Sequence, residues 1–275
     1  FRQQHPELLR DLPSPAERLT ERDTILITYG DQVQEAGTPP LQTLAEVLET
    51  YVAGVITGVH ILPFFPYSSD DGFSIIDYTV VNPEWGIWAD IRRLDEHFRL
   101  MFDLVVNHIS AQSAWFQAFL EGAPDFADAF IVVEEETDVS QVVRPRALPL
   151  LTPVQTASGE QLVWTTFSTD QIDLNFADPG VLLRMIDVLL LYVEQGAEII
   201  RLDAIAYLWK KLGTSCIHLP ETHRVVKLFR AILDAIAPGV MLITETNVPH
   251  PQDRSYIGTG TEETLLMYHL YLPPL

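Results

Sequence analysis

Short apolar runs alternating with helix-length patterns constrain this chain more than any other feature. Residues 24–29, 58–65 and 100–106, and later 198–202, 240–244 and 264–268, have the length and apolar density of buried strands. Between them, residues 41–51, 87–98, 181–194 and 222–236 read as helices. Strands that alternate with helices pair in parallel through right-handed crossovers, which predicts an α/β fold. Polar residues close several of the runs, first Asn107 and His108, then Asp203, then Glu245, and the carboxyl ends of strands carry the chemistry in a (β/α)8 TIM barrel. A doubly wound sheet is the alternative, but no Gly-x-Gly-x-x-Gly turn follows the first run, where a dinucleotide needs one.

The expected organisation is an N-terminal leader over residues 1–22, rich in charge and holding Pro13 and Pro15, then a catalytic barrel over residues 23–275. About six strands can be counted, against the eight that close such a barrel, so the barrel is expected to be truncated at its C-terminus. Roughly ninety residues part the third run from the fourth, far more than an ordinary βα loop. Residues 110–180 are therefore expected to form an inserted subdomain over the active face, including the acidic stretch 134–138.

Composition narrows the function classes. A formal charge of −21, from 38 acidic and 17 basic side chains, opposes binding to nucleic acid or anionic membranes. The most apolar stretch, near residues 181–193, is broken by Arg184 and Asp187, which argues for a core helix and against a membrane span. Cys216 stands alone, so neither an internal disulfide nor a cysteine metal cluster can form, and a cytoplasmic location is expected.

Glycosyl transfer with retention needs two carboxyl groups about 5–5.5 Å apart, one to attack the anomeric carbon and one to protonate the leaving oxygen. Asp203 and Glu245 each follow a strongly apolar strand, so each projects from a strand end into a barrel mouth. Arg201 lies two residues before Asp203 and points to the same face, where a guanidinium lowers a carboxyl pKa and would keep Asp203 ionised.

Three segments, Asp103-Leu-Val-Val-Asn-His108, Gly196-Ala-Glu-Ile-Ile-Arg-Leu-Asp203 and Ile243-Thr-Glu-Thr246, resemble the first three conserved regions of the α-amylase superfamily, glycoside hydrolase family 13. The resemblance implies Asp203 as nucleophile and Glu245 as general acid/base. Ala206-Tyr207 stands where true α-amylases place Lys-His. Asp70-Asp-Gly-Phe73-Ser-Ile-Ile-Asp-Tyr78, Arg144-Pro-Arg146, Trp164-Thr-Thr-Phe167-Ser-Thr-Asp-Gln171 and Gly213-Thr-Ser-Cys216 instead resemble the sucrose phosphorylase and glucosylglycerate phosphorylase group.

That similarity implies that Asp70 and His108 grip donor glucosyl hydroxyls, that Phe73 and Phe167 wall the ring, and that Gln171 lines the same pocket. Arg146 would help to hold phosphate. The implied partners are a small sugar substrate and inorganic phosphate, with no cofactor. No metal is expected, since residues 134–138 have neither the spaced ligands nor the glycine of a calcium loop. The implied reaction converts sucrose or a related α-glucoside, with phosphate, to α-glucose 1-phosphate by double displacement. Sucrose, sucrose 6'-phosphate, glucosylglycerate and glucosylglycerol stay open as donors. A hydrolase or transglucosidase with the same acids and a non-catalytic amylase-like module are the alternatives. The family's third acid is expected beyond Leu275.

Overall fold

The computed structural model describes residues 20–245, 254–257, 263, 264, 266 and 267, so residues 1–19 of the expected leader and part of the sixth run lie outside the described residues. Among the described residues, six strands form one parallel sheet: β1 (Ile25–Thr28), β2 (Gly58–Ile61), β3 (Arg99–Val105), β9 (Ala197–Asp203), β10 (Met241–Thr244) and β11 (Leu266–Met267). They follow one another in chain order across the sheet, as in a (β/α)8 barrel. A doubly wound sheet reverses its order at a switch point, and this one does not.

Helices α1 (Pro40–Tyr51), α2 (Trp88–Asp95), α4 (Pro179–Glu194) and α5 (Pro220–Ile236) supply the crossovers. Proline stands in the first turn of α1, α4 and α5, where its missing N–H costs no helical bond. Asp178 caps α4 by accepting a hydrogen bond from Gly180 N at 2.9 Å. The second strand ends at Ile61 and not at residue 65, because Pro63 cannot donate to a ladder.

The barrel's outer layer packs aromatics against its helices. Phe65 stacks on Tyr192 of α4 with centroids 5.0 Å apart, and Phe102 meets Phe64 edge-on at 5.0 Å. Inside, Met101, Ile199, Met241 and Ile25 form the apolar floor beneath the polar residues. Among the described residues β1 pairs only with β2, and its Ile27 is 47% exposed.

Between β3 and β9 the chain makes a separate antiparallel layer. β4 (His108–Ser110) pairs with β8 (Gln171–Asp173), which sets His108 opposite Asp173 and Ser110 opposite Gln171. β5 (Val132–Val133), β6 (Leu151–Thr156) and β7 (Gly159–Trp164) form a three-stranded sheet with β7 in the middle. Helix α3 (Ala114–Leu120) precedes it, capped by Ser113, whose hydroxyl accepts from Phe116 N at 3.2 Å.

Candidate active site

Register explains why the acids meet. Asp103 of β3 pairs with Arg201 of β9, and Arg201 pairs with Ile243 of β10. Asp203 and Glu245, each two residues further on, are therefore level with one another, and Glu245 N donates to Leu202 O at 3.1 Å. Arg201 Nη1 lies 2.5 Å from Asp103 and 3.1 Å from Asp203, and its Nη2 lies 3.9 Å from Glu245. On its far side Asp103 contacts His60 Nε2 at 2.9 Å. Ala204, left-handed at φ 49°, turns its N–H onto Glu245 Oε2 at 3.1 Å.

This arrangement corrects the expected electrostatics of the nucleophile candidate. Asp203's carboxyl is pushed up to about 7, first by burial and then by Glu245 and Asp103, against the pull of Arg201. One guanidinium faces three carboxylates, so its attraction is divided and burial prevails. Asp103 fares differently: burial opposes its charge, but His60 and Arg201 together hold it below the usual carboxylate range.

A cavity of about 320 Å³ opens above the pair, and Asp70, Phe73, His108, Arg146, Phe167, Gln171, Arg201, Asp203 and Glu245 all line it, with Tyr29, Asp71 and Ala204. Every site residue expected from sequence thus reaches one cavity. Buried His108 donates from Nε2 to Phe73 O at 2.9 Å, and burial is the main force lowering its pKa. Phe167 packs 5.2 Å from the His108 ring. Gln171 Nε2 donates to Asp70 Oδ2 at 2.9 Å. Arg146, expected at a phosphate, lies 3.2 Å from Asp70 and over the Phe167 ring, bridging the two walls of the mouth.

A buried polar layer that sequence reasoning missed supports this cavity. Lys210 Nζ lies 2.5 Å from Asp173 Oδ2 and 2.6 Å from Asn107 Oδ1, and Thr166 donates to Asp173 from both its N–H and its hydroxyl. Tyr29, just past β1, was signalled by the strand-end rule that found Asp203. His60 and Asp103 carried no such signal, because both lie within strands. Among the described residues no group of three or more His, Cys, Asp or Glu side chains is arranged to hold a metal ion. No helix among them is long and apolar enough to cross a membrane.

Known proteins place the chain. The alpha-amylase catalytic domain matches residues 34–274. A glucosylglycerate phosphorylase of Spirochaeta thermophila is 60% identical over 271 residues, covering 96% of this chain and 46% of that protein. The glucosylglycerate phosphorylase of Escherichia coli is 52% identical over 256 residues, at 93% and 46% coverage. The crystal structure of a sucrose 6F-phosphate phosphorylase from Thermoanaerobacter thermosaccharolyticum superposes with a TM-score of 0.80 at 32% identity, covering 92% of this chain and 53% of that one. The chain spans about half the length of the curated relatives it matches. It belongs to the alpha-amylase family, glycoside hydrolase family 13, in the group of the sucrose and glucosylglycerate phosphorylases.

Proposed function

We propose that this chain carries the donor site of a retaining glucosyl phosphorylase, with glucosylglycerate as donor and phosphate as acceptor. The observation that carries the chemistry is Asp203 and Glu245 meeting on Arg201 at the base of the cavity. The donor assignment rests on the relatives, which are 60% identical for a glucosylglycerate phosphorylase and 36% for a sucrose 6(F)-phosphate phosphorylase.

Asp70, His108 and Gln171 take the glucosyl hydroxyls, and Phe73 and Phe167 cover the ring. Asp203 Oδ1 is held by Arg201, which leaves Oδ2 to attack the anomeric carbon as Glu245 protonates the departing glycerate oxygen. The pair must then hold one proton between them, on Glu245, in the reactive state. Phosphate attacks the glucosyl ester while Glu245 takes its proton, and two inversions give α-glucose 1-phosphate. Arg146, 43% exposed at the mouth, is the cation assigned to the phosphate. Residues 110–180 act as a subdomain whose strand β8, paired with β4, and whose Arg146 loop complete the donor pocket.

The test is a polypeptide of the relatives' full length carrying this sequence, assayed in phosphate with glucosylglycerate and sucrose in parallel. The reading predicts kcat/KM for glucosylglycerate at least tenfold above that for sucrose. Equal or reversed preference contradicts the donor assignment.

A further inference from the structure

A carboxylate outside the reacting set holds a strained turn of the donor pocket. Asp70 and Asp71 are both left-handed, at φ 55° and 51°, and Gly72 follows at φ 102°. Only glycine fits at position 72, because an added Cβ would lie 2.8 Å from Pro63 O. Two consecutive non-glycine residues in this region are costly and persist only where their surroundings fix them. The fixing contacts converge on Asp170. Its Oδ2 accepts from Ser68 Oγ at 2.6 Å, from Ser74 Oγ at 2.7 Å and from the Ser69 hydroxyl. Ser68 and Ser69 precede the turn and Ser74 follows it, so one carboxylate grips both ends.

The clasp is fastened on its other side as well. Ala111 N donates to Asp170 O at 2.8 Å, and the Ser110 hydroxyl lies 2.6 Å from that of Ser68. Burial opposes the charge on Asp170, but the hydroxyls of Ser68, Ser69 and Ser74 and the Ala111 N–H hold its carboxyl below the ordinary range. The next residue, Gln171, reaches the apex of the same turn by donating to Asp70. Residues 170 and 171 thus hold the turn at its base and at its tip.

We propose that Asp170 is a positioning residue for the glucosyl pocket, acting through Asp70 and Phe73 by clamping the turn between Ser69 and Ser74. The proposal rests on the donor-site reading above. Glucose alone is therefore the probe, since its binding does not depend on which acceptor the enzyme uses.

Glucose binding to the full-length protein is measured by calorimetry for the wild type, Asp170→Ala, Asp170→Asn, Asp70→Ala and Asp170→Ala with Asp70→Ala. Asp170→Ala is expected to weaken glucose at least tenfold. Asp170→Asn, which keeps one acceptor oxygen, should fall between it and the wild type. The double variant should lose less than the sum of the two single losses, because one of Asp170's two routes to the sugar, the one through Asp70, is already gone. Where Asp170→Ala does not fold, Ser69→Ala removes one strand of the clasp and should weaken glucose in the same direction. Unchanged affinity in both Asp170→Asn and Ser69→Ala, or fully additive losses in the double variant, overturns the proposal. A wild type that binds glucose but makes no glucose 1-phosphate sinks the phosphorylase reading and leaves the clasp standing. A wild type that does not bind glucose overturns both.

Discussion

Arg201 contacts Asp103 at 2.5 Å, closer than the 3.1 Å to Asp203, so the guanidinium's shorter bond goes to Asp103 and not to the proposed nucleophile. Asp103 is fully buried and fixed from behind by His60, which makes it the anchor of the charged cluster. Asp203 receives what attraction remains. Burial raises its pKa, and the shared cation is too divided to offset that.

Stability should therefore respond to Asp203 in an unusual direction. Unfolded, the carboxyl loses its proton near 3.8, and folded it keeps the proton until about 7. Between those values the folded state binds more protons, so stability falls as pH rises. Asp203→Asn, which cannot ionise, should be more stable than wild type at pH 7.5, by up to about 4 kcal/mol. The gain should shrink toward zero near pH 4, while turnover drops by several orders of magnitude. Thermal unfolding across pH 4 to 7.5 checks this, and a gain that does not change with pH would contradict it.

Asp103→Asn removes one of the two charges that push Asp203 up and frees Arg201 for the reacting pair. Both limbs of the pH profile of kcat/KM should then move to lower pH, by about one pH unit. Unmoved limbs would show that Asp103 does not set the proton affinity of the pair.

Glu245→Gln tests the acid. Turnover of glucosylglycerate should fall by roughly 10²–10⁴-fold, the usual worth of general acid catalysis. An aryl α-glucoside with a good leaving group needs little protonation and should lose far less in its first step. Equal losses on both donors would remove Glu245 from that role.

Lys210 and Asp173 form a buried pair beneath Asn107 and His108. Lys210→Met strands the Asp173 charge and should cost about 3–5 kcal/mol. Adding Asp173→Asn should recover part of that loss. Denaturant unfolding of the single and double variants decides it, and a double variant less stable than Lys210→Met would refute the pairing argument.

The strands were legible in the sequence because apolar runs of this length have few other uses, and the acids because they end two of those runs. Tyr29 was reachable by the same reasoning. The shared guanidinium was not. That Asp103, Asp203 and Glu245 all fall on Arg201 depends on the register of β3, β9 and β10, which no local pattern encodes. The serine clasp was hidden for a similar reason, since Asp170 meets Ser68 across 102 residues of chain. Nor did spacing reveal that Arg146 pairs with Asp70, because that contact joins two loops with no periodic signature.

The proposed reaction is retaining glucosyl transfer to phosphate through Asp203 and Glu245. Its most direct test is phosphorus and proton NMR of the reaction of full-length protein with glucosylglycerate and phosphate, followed from the first turnovers. α-Glucose 1-phosphate is expected as the first-formed sugar phosphate, released with glycerate in equal amounts and absent from the Asp203→Asn variant. Formation of β-glucose 1-phosphate, or of free glucose as the main product at millimolar phosphate, would contradict it.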